Sequence, residues 1–280
     1  MKSLFFKFSL AILTVIVSIT TTNNEVVKRI ETQEFQGKAY YFSKSKMELG
    51  KWGARLSEEQ KKQVAARLKN RLEKTYVLTF NKEESVFYED EKLDAMSGAT
   101  DSWGKNFTPG LQYKNVKLNS QIQEQEFYGK QFLVKDSLQP IQWKMGTETK
   151  NIGNYSCFKA TASIPTNELT WYNFSWDKLR NNKATDSTAT AIKMTEIEAW
   201  YSPQIPVGHG PLEYWGLPGL ILEVSADNTT MLCSKIVLNP EETIEIEAPE
   251  KGKVVTKKEY QEIIIKKMKE FRDNRGRRRG

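Results

Sequence analysis

The sequence AWYSPQIPVGHGPLEYWGLPGLILEV, from Ala199 to Val224, predicts the most rigid part of the fold. It holds four of the nine prolines, two of the seven tryptophans and the single histidine of this 280-residue chain. Proline fixes φ and removes an N–H donor, whereas glycine allows backbone conformations that other residues avoid. We therefore interpret the stretch as a strand over Ile197–Tyr201, a long shaped loop, and a strand over Leu220–Val224.

Short strand-like segments surround this stretch on both sides. Tyr76–Phe80 and Ser85–Tyr88 predict one hairpin, and Thr147–Asn151 with Tyr155–Ser163 predict a second one that turns at Gly153-Asn154. Asp227-Asn228 indicates another turn. Further strands are predicted over residues 26–35, 38–43 (with Gly37 as the turn between these two), 112–118, 122–128, 130–135, 141–145, 231–238 and 243–247.

Two segments have apolar residues at helical spacing. Glu58–Lys74 follows Ser57, which with Gln60 forms a capping-box pattern, and Lys257–Arg272 carries the second apolar stripe. Many short strands with two helices favour an α+β fold. We predict a mostly antiparallel, strongly bent sheet or open barrel with two flanking helices.

The N-terminus has the features of a secretory signal. Lys2 and Lys7 surround the start, an apolar run follows over 8–19, and polar residues come next. The run is short for a membrane span, so we predict a signal peptide over residues 1–22, with an uncleaved anchor as the alternative. Residues 23–272 then form a single β-rich domain, and export across the inner membrane to the periplasm or the outer membrane is expected.

The positive charge of the chain is concentrated at its end. The whole chain carries a net +7, but Lys253–Gly280 alone carries +7 and residues 1–22 carry +2, so the body between them is mildly acidic. No nucleic-acid partner is expected from this distribution. We predict a disordered basic tail over 273–280, which contacts an anionic envelope surface through Arg275, Arg277, Arg278 and Arg279.

Cys157 and Cys233 are the two cysteines of a chain with an export signal. Strand alternation groups Cys157 with Lys159 and Cys233 with Lys235, so both thiols are expected on the wetter faces of their strands. We predict that they form a disulfide or lie on neighbouring strands. Two reduced cysteines that never meet are an equally weighted alternative.

Four blocks of the sequence resemble the GLPGLI family in the right order. They are Tyr76–Tyr88, the segment ETKNIGNYSCFKAT over residues 148–161, the lead-in over 199–215, and Gly216–Ile221, which spells GLPGLI. The resemblance implies a secreted protein of Gram-negative bacteria, in a family often encoded beside outer-membrane receptors and with no firmly assigned activity. His209 and the arginine tail depart from the family pattern.

The sequence contains none of the common catalytic motifs. A single histidine excludes HExxH spacing, and CxxC is absent, so no metal site and no cofactor are predicted. We interpret Gly208-His209-Gly210 as an exposed turn rather than the seat of a catalytic base. Glu213 and Glu223 could form a carboxylate pair, but alternation points Glu223 outward. No catalytic residue is therefore assigned.

The aromatic residues of the central stretch are the best binding candidates. Trp200, Tyr201, His209, Tyr214 and Trp215 are predicted to form a platform for a ligand or partner, with a core plug as the alternative role. We expect a secreted, non-enzymatic binding or accessory protein of the cell envelope. It acts with an outer-membrane receptor or carries a hydrophobic or peptide ligand. An envelope hydrolase with a carboxylate-lined cleft and a purely structural interaction module are the alternatives.

Overall fold

A computed structural model of the protein describes residues 35–46, 55–90, 106–174, 176, 193–242 and 244–277. These residues form one open twelve-stranded sheet with a few helices against it, so the chain is mostly β. The prediction of a β-rich fold is confirmed at this level, and a bent open sheet is consistent with it. The predicted signal peptide over 1–22 and most of the predicted strand over 26–35 lie outside the described residues.

The elements are defined by the following bounds. The strands are β1 (Gln36–Ser45), β2 (Glu73–Asn81), β3 (Glu84–Glu89), β4 (Gln112–Asn115), β5 (Ser120–Phe127), β6 (Lys130–Ser137), β7 (Lys144–Ile152), β8 (Tyr155–Pro165), β9 (Met194–Ser202), β10 (Leu220–Ala226), β11 (Thr229–Leu238) and β12 (Lys253–Val255). The helices are α1 (Glu58–Arg67), α2 (Lys69–Leu72), α3 (Thr166–Leu169) and α4 (Lys257–Arg277).

The sheet consists of two antiparallel meanders that meet at β1 and β11. Its order is β12-β6-β5-β4-β3-β2-β1-β11-β10-β9-β8-β7. β1 to β6 form the first meander and β7 to β11 the second, and β12 adds to β6 as a parallel edge strand. Because β1 pairs with both β2 and β11, the first strand holds the two meanders together.

Directly paired residues share a face of the sheet, so the register identifies which side chains lie together. One continuous row of partners is Ala39, Leu78, Phe87, Gln112, Gln123 and Val134. A second row on the same face is Gly37, Phe80, Ser85, Lys114, Gln121 and Asp136. We call this the inner face and its opposite the outer face.

Two apolar clusters cover different parts of the protein interior. The larger one gathers residues of β1–β3 and β8–β11, among them Tyr41, Leu78, Phe80, Ile197, Leu220, Ile221 and Leu222. The smaller one joins β5, β6 and β12 to Trp171 and to Tyr260, Ile264 and Met268 of α4. Buried polar residues of β3–β5 lie between them. We call Ser85, Gln112, Lys114, Gln121, Gln123 and Gln125 the polar strip.

The local predictions hold for the hairpins. β2–β3, β7–β8 and β10–β11 turn where expected, and Gly153 and Asp227 have the positive φ that such turns require. The capping box at Ser57 and Gln60 is also present. Turn chemistry is local, and short-range signals therefore locate it well.

Several predicted boundaries are wrong. Gly37 lies inside β1 rather than in a turn, and it leaves room for Phe80, whose Cζ would be 2.7 Å from a Cβ at this position. The helix from Glu58 ends at Arg67 and has no buried residue; the short α2 then precedes β2, which begins at Glu73. No strand forms over 244–247 among the described residues. α4 runs on to Arg277, beyond the predicted helix end at Arg272.

Candidate functional site

The loop over 203–219 is fixed by close backbone contacts. A Cβ on Gly219 would lie 2.2 Å from the carbonyl oxygen of Ser202, and one on Gly210 would lie 2.8 Å from that of Tyr214. Leu220 N donates to Ile205 O and Ile221 N donates to His209 O, so the loop is tied to the start of β10. The predicted rigid loop is therefore present, and glycine allows its strands and turns to approach this closely.

The predicted aromatic site residues lie mostly in the interior. Trp200, Tyr201, His209 and Tyr214 are all buried. Trp215 is half-buried; its Nε1 donates to Gln139 O (2.7 Å) and its own carbonyl accepts from Trp143 Nε1 (2.9 Å). These residues do not form one open platform.

Trp200 and Tyr201 point to opposite faces of β9. Trp200 pairs with Lys159 and Glu223 on the outer face, where Lys150 Nζ lies 4.3 Å above the centre of its ring. Lys150 in turn forms an ion pair with Glu223 (2.7 Å), which confirms the outward direction of that carboxylate. The lysine therefore closes over the indole, and the two carboxylates Glu213 and Glu223 belong to different sites.

His209 is fully buried, so the prediction of an exposed Gly-His-Gly turn is wrong. Its Nε2 donates to Asn81 O (3.0 Å), its ring lies against Phe80, and its Nδ1 has no partner among the described residues. Burial and the nearby Lys114 ammonium lower the pKa of His209 to about 3. The imidazole is therefore neutral at ordinary pH and holds the loop onto β2.

Lys114 of the polar strip also binds the loop over 203–219, from the inner face of β4. Its ammonium donates to Gly210 O (2.6 Å), Leu212 O (2.7 Å) and, more weakly, Tyr214 O (3.4 Å). Three carbonyls around one buried cation fix the turn at 210–214. Burial lowers the pKa of Lys114 to about 7, and the Glu213 carboxylate opposes that shift.

Glu213 is the buried carboxylate of the site. Its Oε1 accepts from Trp171 Nε1 (3.1 Å) and Gln112 Nε2 (3.3 Å), and its Oε2 lies 3.4 Å from Lys257 Nζ. With its nitrogen toward Glu213, the Gln121 amide donates to Oε2 (3.0 Å) and accepts from Lys257 (3.1 Å). The Glu213 carboxylate therefore connects four parts of the protein: its own loop, the polar strip, Trp171 and α4.

A small cleft of about 30 Å³ opens beside Glu213. Gln112, Gln123 and Glu213 line its polar floor, and Pro109, Leu169 and Tyr172 line part of its rim. Burial and the Glu213 carboxylate raise the pKa of Tyr172 to about 12, so its phenol is neutral. This volume is enough for about two water molecules or one small functional group.

A larger groove of about 330 Å³ lies on the outer face of β1–β3. Thr79, Val86 and Tyr88 form its wall on the sheet, and Pro240 and Ile244 form the wall that follows β11. Lys38, Glu242 and Glu245 add charged groups at its margin, and none of them makes an ion pair within the described part of the chain.

The two cysteines are free and buried. Cys157 lies on β8 and Cys233 on β11, with β9 and β10 between them, so the prediction of neighbouring strands is wrong. The predicted wetter position is also wrong, because other groups cover both thiols. Burial raises the pKa of Cys157 and raises that of Cys233 to about 12, so both are protonated.

The sequence reading missed the polar strip and Lys257. Gln121, Gln123 and Gln125 recur with a period of two, which is the signal that could have placed them on one face. Judged by hydrophobicity alone, Ile122 should face the core, which would place Gln121 and Gln123 on the opposite, exposed face of β5. The partners that reverse this choice, Glu213 and Lys257, are distant in the sequence.

Within the described residues, no group of three or more His, Cys, Asp or Glu side chains could hold a metal ion. No helix in that part of the chain is both long enough and apolar enough to span a membrane.

Residues 143–223 match the model of a family described as "Protein of unknown function (Porph_ging)". The matched region begins just before β7 and ends within β10, so it covers most of the second meander and the whole shaped loop. No curated protein matches the sequence.

Two solved structures of PNGF-II, in the C2 and P21 space groups, resemble the chain, each at 13% sequence identity. Their TM-scores are 0.45 and 0.40, and the matches cover 82% and 80% of this chain. This chain spans about a third of the PNGF-II chains, with 32% and 31% covered. Likenesses this distant carry no argument about function. The chain is thus similar, over its second meander, to a family whose function is not known.

Proposed function

We propose that this protein is a secreted, non-enzymatic binding or accessory protein of the cell envelope that holds a hydrophobic or peptide ligand. The outer-face groove carries the proposal. Its volume of about 330 Å³ lies at the lower end of the range of small-ligand pockets, and apolar and polar groups share its walls.

The lining of the groove favours an amphipathic ligand. Val86, Pro240 and Ile244 offer apolar contacts, whereas Thr79 and Tyr88 offer hydroxyl groups. Two unpaired carboxylates and one ammonium at the margin give a local excess of negative charge. A short peptide with an apolar residue next to a basic residue fits this combination best.

The proposed partner and location rest on the sequence. The signal-like N-terminus supports export to the periplasm or outer membrane, and the GLPGLI resemblance supports action beside an outer-membrane receptor. Expression of the full gene in a Gram-negative host, fractionation, and mass measurement of the periplasmic product test export. Recovery of only the unprocessed chain, in the cytoplasm, would contradict it.

Peptide binding is tested with two dipeptides of equal size, N-acetyl-Leu-Lys-amide and N-acetyl-Leu-Glu-amide, titrated into the ¹⁵N-labelled protein. We expect saturable shifts of residues along the groove with the lysine peptide, and binding at least about tenfold weaker for the glutamate peptide. Shifts located elsewhere, or no saturable shift with either peptide, would refute the groove as the binding site.

A matched pair of variants localises the binding. Ile244→Arg places a bulky cation in the groove and should weaken binding of the lysine peptide at least about tenfold. Leu118→Arg makes the same change at an exposed turn and should leave binding within about twofold. Equal losses in both variants would mean that general charge, not the groove, controls binding.

The hydrolase alternative gains no support from Glu213. General base catalysis needs a carboxylate oxygen that can reach a proton of the substrate, but Trp171, Gln112, Gln121 and Lys257 already occupy both oxygens. These four partners give Glu213 a structural role.

Contact with an anionic surface remains a part of the proposal. Arg275 and Arg277 belong to α4, and Arg278 and Arg279 lie outside the described residues. Co-sedimentation with phosphatidylglycerol vesicles should occur at about 20 mM salt and decline at about 500 mM. Equal sedimentation with neutral phosphatidylcholine vesicles would contradict an electrostatic contact.

A further inference from the structure

The cleft beside Glu213 lies on the inner face, away from the outer-face groove, and its floor contains two amide atoms that lack partners. The Gln112 carbonyl oxygen receives no hydrogen bond, and the Gln123 amide nitrogen donates none within the described chain. Both side chains line the cleft and are at most 2% exposed. Burying such groups without partners is unfavourable.

The orientation of these two amides follows from Glu213. A carboxylate only accepts, so Gln112 must turn its nitrogen toward Glu213 Oε1 (3.3 Å), and this leaves its oxygen free. The same nitrogen also donates to Gln123 Oε1 (3.2 Å), so the Gln123 nitrogen must point away. Reversing either amide would place like atoms against each other. The free acceptor and the free donor are therefore imposed by the buried charge.

The residues that line the cleft consequently include one acceptor and one donor without partners in the described chain. A hydroxyl or a carboxamide can donate to Gln112 and accept from Gln123. A carboxylate cannot donate to Gln112, and it would lie beside Glu213; an ammonium cannot accept from Gln123. The floor of the cleft thus favours a neutral group that can both donate and accept a hydrogen bond over a carboxylate or an ammonium.

The rim adds a second requirement. Pro109, Leu169 and Leu212 present carbon atoms at the mouth, and Tyr172 presents its ring with a neutral phenol. The volume of about 30 Å³ holds one small polar group, so the rest of a ligand would lie against this apolar rim.

We propose that this cleft is a second binding site, for a neutral hydroxyl or carboxamide group at the end of an otherwise apolar ligand. Gln112 accepts from that group, Gln123 donates to it, and Glu213 holds both amides in position. This proposal is independent of peptide binding in the outer-face groove.

Four probes of equal length test the site: propionamide, propan-1-ol, propionate and propylammonium. Each is titrated into the ¹⁵N-labelled full chain, with the side-chain NH₂ signals of Gln112 and Gln123 as reporters. We expect saturable shifts of the Gln123 NH₂ signal with propionamide and propan-1-ol, and binding at least about tenfold weaker for the two ions. Equal responses to all four, or no saturable response, would show that the cleft holds water only and would overturn the proposal.

Two variants provide the control. Gln123→Leu removes the donor at nearly constant size and should weaken propionamide binding at least about tenfold, as read from the Gln112 NH₂ signal. Gln131→Leu makes the same exchange at an exposed position of β6 and should leave the affinity within about twofold. Unchanged affinity in a folded Gln123→Leu protein would overturn the assigned contact, and the wild-type titration decides the site even if this variant fails to fold.

Discussion

At the scale of single residues, the interior of this protein contains charged side chains of a type that sequence alone would place on the surface. Lys114 and Glu213 are both buried, and each is surrounded by partners of opposite polarity. Such groups stabilise a fold only while every partner is present, because an uncompensated buried charge costs several kcal/mol.

Glu213→Gln should lower the free energy of unfolding by about 3 kcal/mol. In either orientation its amide nitrogen would face a donor, Trp171 Nε1 or Lys257 Nζ, and two buried lysines would lose their counter-charge. The measurement is urea unfolding at pH 7. Glu223→Gln makes the same exchange in a partly exposed pair and should cost about 1 kcal/mol or less. Equal costs would argue against the central role of Glu213.

His209 should give the protein an acid-sensitive component of stability. Its folded pKa of about 3 lies below the usual 6.5, so the unfolded chain binds more protons between these values. Stability is therefore fully present above about pH 6.5 and declines as the pH falls. From pH 7 to pH 5 this one group should account for about 2 kcal/mol.

The test compares unfolding of the wild type and of His209→Gln at the two pH values. The variant keeps an amide donor for the Asn81 carbonyl but has no titrating ring, so its stability should fall less. Identical pH profiles would mean that His209 is not neutral in the folded protein.

At the scale of elements, close backbone approach shapes the loop more than backbone conformation does. Among the loop glycines, Gly216 has a positive φ of 88°, whereas Gly219 is required because Ser202 lies against it. The need for glycine at position 219 is therefore steric and does not come from a positive φ.

Gly219→Ala should destabilise the protein by about 3 kcal/mol, because the new methyl group would meet the Ser202 backbone at 2.2 Å. Gly208→Ala is the matched control on the same loop, since its nearest contact would be 3.8 Å away. Thermal unfolding of both variants decides the matter. A Gly219→Ala protein as stable as the Gly208→Ala protein would contradict the close approach.

Local signals predicted the elements well and their assembly less well. The hairpin at Gly153 could be predicted because its turn residues are adjacent in the sequence. The inward direction of Gln121 and Gln123 could not, since it depends on Glu213 and Lys257, which the fold brings in from distant positions. Two residues that line the inner-face cleft were already considered in the sequence, Tyr214 as a binding residue and Glu213 as one of a carboxylate pair. The buried glutamines beside them came from the structure.

At the scale of the whole molecule, two late elements of the chain pack on the first meander. β11 pairs with β1, and α4 crosses to the first meander, where Tyr260 and Met268 are buried and Phe271 lies 5.0 Å from the ring of Tyr128. The smaller apolar cluster therefore joins the C-terminal helix to residues from the middle of the chain, among them Phe127, Phe132 and Trp171.

A chain that ends at Phe271 should unfold at the same temperature as the full chain, because it retains every apolar contact of α4 with the sheet. A chain that ends at Thr256 loses Tyr260, Ile264 and Met268 and should lose several kcal/mol or cease to fold cooperatively. Calorimetry compares the three chains. Full stability of the shorter one would show that α4 does not complete the core.

The polar strip also has a consequence for how this sequence can change over generations. Substitutions at distant, unconnected sites usually add their effects, whereas members of one hydrogen-bonded network do not. Changes in the cluster around Leu220 and in the cluster around Tyr260 should therefore accumulate separately. Changes at Lys114, Gln121 or Glu213 should be tolerated only in combination. In descendants of this protein, the two apolar clusters would therefore change independently of each other, whereas these buried polar residues would change together.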